Sequence, residues 1–60
     1  MKKRYSALWW NSADKDSITH RENFDSREEA IAYIVRNYVH VNILGFVRDG
    51  EADTTIYRTY

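Results

Sequence analysis

Cysteine and proline are both absent from this chain of 60 residues, and glycine occurs only twice. Without cysteine no disulfide can staple the fold, and a four-cysteine zinc site is excluded. No proline, repeat or low-complexity tract marks a linker, so residues 1–60 read as a single domain. Net charge is missing too: nine basic residues balance nine acidic ones, which argues against a generic polyanion binder. No apolar run approaches the roughly 18 residues of a membrane span, and no apolar signal region follows the basic start, so a soluble, cytoplasmic protein is expected.

What is present compensates for small size. A chain this short buries only roughly 60% of its unfolded surface, which leaves folding marginal. The remaining remedies are a core rich in large rings or association with another chain. Aromatic residues make up 15% of the sequence: Trp9, Trp10, Phe24, Phe46 and five tyrosines. Self-association is therefore expected as well.

The coarse order of elements is β-β-α-β-β. Residues 4–11, RYSALWWN, are a strand that runs into a turn-forming stretch, Asn11 to Asp16. Residues 17–24, SITHRENF, alternate Ile18, His20, Glu22 and Phe24 against Thr19, Arg21 and Asn23, a second strand antiparallel to the first. Residues 24–39 carry a helix whose start is signalled twice, by Ser26 with Glu29 and by Asp25 with Glu28. Its apolar stripe is Ile31, Ile34, Val35 and Tyr38, with Ala30 at the margin and Tyr33 on the polar side. VHVNILGFVR, residues 39–48, is a third strand, Asp49-Gly50 opens a loop longer than two residues, and TTIYRTY, residues 54–60, is the fourth. The fold class is α+β, one helix on an antiparallel sheet of about four strands.

Two tryptophans in succession on a strand point to opposite sides of the sheet. Sorting by alternation gives a helix-facing set of Leu8, Trp10, Ile18, Phe24, Val41, Ile43, Val47 and Ile56. The other set is Tyr5, Ala7, Trp9, Leu44, Phe46 and Tyr57, with Thr19, Arg21, Arg48 and Thr55 as polar neighbours. The reverse, Trp9 inside and Trp10 outside, is the alternative. In either case one helix covers one face. Rings on the other expose on the order of 500 Å² of apolar surface, near the upper end of the roughly 300–600 Å² seen on monomers.

Little chemistry is encoded beyond this. His20 and Glu22 share a face without an evident third ligand, so no metal is expected. Asp14-Lys15-Asp16 lacks the glycine and late glutamate of a calcium loop and reads as a turn. No nucleophile motif occurs, and so short a chain has little room for a walled pocket, so neither enzyme activity nor a cofactor is expected. The basic run Lys2-Lys3-Arg4 reads as the solvated end of a strand.

The expectation is a protein–protein interaction module. Tyr5, Trp9, Leu44, Phe46 and Tyr57 are its interface residues, and Tyr33, Arg36 and Arg48 are its partner-binding residues. The partners expected are a second copy of the chain and a larger protein that it inhibits or adapts. The alternative is a single-stranded nucleic acid, contacted by Arg4, Tyr5, Trp9, Phe46 and Arg48. In profile alone, small, aromatic-rich and free of cysteine and proline, the chain is similar to small accessory proteins of bacteriophages. Several of those dock onto host enzymes or block host defence complexes. That likeness rests on no motif and transfers no residue.

Overall fold

The computed structural model describes residues 3–38 and 40–60. Lys2, part of the basic run, and Val39, at the expected start of the third strand, lie outside the described residues. Five elements follow in the expected order: β1 (Tyr5–Asn11), β2 (His20–Phe24), α1 (Arg27–Asn37), β3 (Ile43–Asp49) and β4 (Thr54–Arg58). The sheet is antiparallel throughout, in the order β2-β1-β3-β4, so α1 joins two hairpins whose inner strands pair with each other. No helix among the described residues is long and apolar enough to cross a membrane.

Local chemistry accounts for the boundaries. The β1–β2 loop is built from side chains that bond their own backbone: Asn11 Oδ1 accepts from Ala13 N–H and Asp14 Oδ1 from Asp16 N–H. Of the two helix starts in the sequence, the chain uses Ser26, whose Oγ accepts from Glu29 N–H at 3.2 Å. The β3–β4 turn is indeed longer than two residues, and its left-handed residue is Asp53 (φ 56°) rather than Gly50. Val47 pairs with Tyr57 but Arg48 with Thr55, so the unpaired Ile56 is a bulge in β4.

The register sorts the paired strand residues by face. On the helix side stand the cross-sheet rows Phe24–Tyr5–Asp49–Thr54 and Glu22–Ala7–Val47–Tyr57, and the row His20–Trp9–Gly45. On the open side stand Asn23–Ser6–Arg48–Thr55 and Arg21–Leu8–Phe46–Arg58, followed by Trp10–Leu44. The arrangement of β1 is thus the reverse of the preferred expectation. Trp9, Tyr5 and Ala7 face the helix, and Leu8 and Trp10 face away.

The reason is helix–sheet distance. Ala7, Ala30, Ile34 and Val47 are fully buried, and at Gly45 an added Cβ would stand 3.4 Å from Ile34 Cδ1 and 3.3 Å from Trp9 Cβ. Small residues at the crossing let α1 approach closely, while Trp9 fills the space beside it.

Other expectations shift for related reasons. Ile18 and Val41, expected in the core, are 69% and 85% exposed, because β2 begins only at His20 and β3 only at Ile43. On α1 the buried stripe is rotated toward Ala30, Tyr33 and Ile34, which leaves Val35 exposed. Tyr33 is drawn inward by rings on the strands beneath it, 5.1 Å from Phe24 and 5.5 Å from Trp9 between centroids.

Candidate binding surface

The open face of the sheet carries a patch of large side chains over which no element among the described residues is packed. Trp10 is its centre. Its ring meets Phe46 edge-on at 6.0 Å (interplanar angle 70°) and Tyr60 in the same manner at 6.0 Å (66°). Leu8 and Leu44, the register partners of Phe46 and Trp10, complete the patch. Mutual packing leaves Leu8, Trp10, Leu44 and Phe46 half-buried, whereas Tyr60 is 59% exposed.

Arginines border these rings. Arg21 Nη2 donates to Ser6 Oγ at 3.0 Å and its Nε to Asn23 Oδ1 at 3.2 Å, and Ser6 Oγ in turn donates to Asn23 Oδ1 at 2.8 Å. Arg58 lies over the Tyr60 ring, 5.9 Å from its centroid. Arg48 reaches along the strand to the exposed Asp53 of the β3–β4 turn.

Charge is segregated by the pleat. The strand arginines Arg21, Arg48 and Arg58 all fall on the open face, and the strand carboxylates Glu22 and Asp49 both fall on the helix side. A chain that is neutral in total thus has a basic open face.

The expected site residues divide between the two sides. Leu44, Phe46 and Arg48 lie on the open face, as expected. Tyr5, Trp9 and Tyr57 do not: they pack against the core on the helix side, so the alternation within β1 and at Tyr57 is corrected. Trp9 lies between His20 (5.6 Å) and Tyr38 (4.3 Å), stacked on both. Arg36 is on the helix, in a shallow groove with Glu28, Glu29 and Tyr33, across the domain from Arg48.

Arg4 is occupied structurally: its Nε and Nη2 grip the two oxygens of Asp49, each at 2.8 Å. Asp49 Oδ1 also accepts from Glu51 and Ala52 N–H. The Arg4 guanidinium holds the Asp49 carboxyl well below the usual carboxylate range, helped by those two N–H groups. On the helix side the Tyr33 and Tyr38 hydroxyls lie 3.4 Å apart, and that contact, with burial, pushes Tyr33 up to about 12.

Trp10, Leu8, Arg58 and Tyr60 are the surface residues that sequence reasoning did not select. The signal was the glycine in the middle of β3, which marks a close approach of another element. Placing Gly45 under the helix puts its neighbours Leu44 and Phe46 outside, and pairing then carries Trp10 and Arg58 to the same side. No family model, curated protein or solved structure matches this chain.

Proposed function

We propose that this chain is a non-enzymatic binding module that acts stoichiometrically, in the cytoplasm, through the open face of its sheet. It covers a surface of a larger molecule and thereby blocks or bridges it. The observation that supports this reading is the Trp10–Phe46–Tyr60 cluster on the side that α1 leaves uncovered. Large rings gathered centrally, with arginines at the rim, are the residue types that dominate binding energy at interfaces.

Self-association through this face is the competing use of the rings. A two-fold pair of open faces brings two surfaces that each carry Arg21, Arg48 and Arg58 together, with the Arg48–Asp53 pair offsetting only part of that charge. That like-charge arrangement favours an occupant of opposite charge.

The absence of cysteine makes the reading testable by site-specific crosslinking. A Thr55→Cys variant carries a photoreactive maleimide on the open face, and a Glu29→Cys variant carries it on the helix, both at exposed positions. In cell extract, macromolecular adducts are expected from Thr55→Cys, reduced by adding Trp10→Ala, and not from Glu29→Cys. Equal adducts from both positions, or none from Thr55→Cys, contradict the proposal.

A further inference from the structure

Building on the open face as the binding surface, we infer that its occupant is a single-stranded nucleic acid, with bases stacked on Trp10, Phe46 and Tyr60 and phosphates held by Arg21, Arg48 and Arg58.

Charge is the first argument. Of the three arginines, Arg21 is held by the neutral Ser6 and Asn23, and Arg58 by a tyrosine ring, so neither has its charge cancelled by those contacts. Arg48 pairs with Asp53, whose carboxylate is largely in water and exchanges readily for phosphate. With Glu22 and Asp49 both on the far side, the face presents a local positive field that overall neutrality conceals.

Ring geometry is the second. The planes of Phe46 and Tyr60 are inclined at 70° and 66° to that of Trp10, so bases lying flat on neighbouring rings are not parallel to one another as successive bases of a duplex are. Bases resting on neighbouring rings must therefore be unstacked from each other, which a single strand allows and a duplex resists. Aromatic side chains on an open sheet beside basic residues stack unpaired bases with little sequence preference. An acidic protein segment satisfies the arginines equally well but supplies no succession of flat rings to match the aromatic side chains.

The test is fluorescence anisotropy of a labelled oligothymidine of about 12 nucleotides, a length within the range that one small domain covers, with the matching duplex as comparison. The single strand is expected to bind and the duplex to bind much more weakly. The slope of log K against log salt is expected to be about −2 for three phosphates, and to fall in magnitude by about 0.7 in Arg21→Gln or Arg58→Gln. Arg27→Gln, at an exposed position of the helix, leaves it unchanged. Trp10→Ala weakens binding by about 5- to 150-fold, with circular dichroism confirming the fold. Because Arg58 is at an exposed strand end, Arg58→Gln keeps the test valid even where Trp10→Ala unfolds. Absence of binding at low salt, equal binding of the duplex, or a slope indifferent to Arg21 and Arg58 overturns the inference. Crosslinks from Thr55→Cys that reach only protein and survive nuclease also overturn it, while leaving the open face as the binding surface.

Discussion

The ring of Trp9 lies 4.3 Å from that of Tyr38, their planes 26° apart, so the last residues of the helix region are fastened to the first strand by an aromatic stack. Its neighbour Trp10 points to the opposite side, where its ring meets those of Phe46 and Tyr60. Trp9→Ala is accordingly expected to cost about 3–5 kcal/mol, which is most of what so small a core supplies, and to leave the chain largely unfolded. Trp10→Ala removes two edge-on contacts and is expected to cost about 1–2 kcal/mol. Urea unfolding followed by circular dichroism distinguishes them.

Gly45 and Ile34 form a second test of the helix–sheet contact. A methyl group at Gly45 presses on Leu8 O (3.1 Å) and Trp9 Cβ (3.3 Å) and meets Ile34 Cδ1 at 3.4 Å, so Gly45→Ala is expected to cost about 1–3 kcal/mol. Ile34→Val deletes the opposing methyl and alone costs about 0.5–1.5 kcal/mol. The double variant is expected to lose less than the sum of the two, a coupling read from a double-mutant cycle.

How legible this was in the sequence differs by level. The helix start was readable because Ser26 and Glu29 satisfy orphan N–H groups at fixed spacing, and the β1–β2 turn because Asn11 and Asp14 bond locally. Local chemistry writes such signals directly. The facing of β1 was not readable from alternation, which says that Trp9 and Trp10 diverge but not which goes inward. Bulk suggested that Leu8 and Trp10 face the helix, yet the close crossing at Ala7 and Gly45 favours small residues there, and Trp9 serves as the filler beside them. The charge segregation was likewise hidden, since Arg21 and Glu22 are adjacent in sequence and only pairing shows them on opposite faces.

Asp49 ties stability to acid. Its folded-state carboxyl titrates below its unfolded value, held there by Arg4, so the contribution is complete above about pH 4 and is lost as pH falls from there through the folded value. Asp49→Asn is expected to lower the melting temperature at neutral pH and to flatten its decline in acid. A series of thermal melts from neutral to acidic pH measures both.

Tyr33 carries the opposite sign. Its hydroxyl, raised to about 12 by Tyr38, keeps its proton longer in the folded state than in the unfolded one. The stabilisation is full below about pH 10 and is lost as pH rises from there through about 12. In Tyr38→Phe one tyrosine is expected to return toward the ordinary range, visible in a tyrosinate absorbance titration.

The division of labour between adjacent indoles is tested most directly by single-tryptophan proteins titrated with oligothymidine. In Trp9→Phe, where Trp10 is the remaining indole, saturating oligonucleotide is expected to quench the emission strongly. In Trp10→Phe, where Trp9 remains under the helix, the emission is expected to hold steady. Quenching confined to the Trp10→Phe protein, or none in the Trp9→Phe protein, contradicts the seating of single-stranded nucleic acid on the open face.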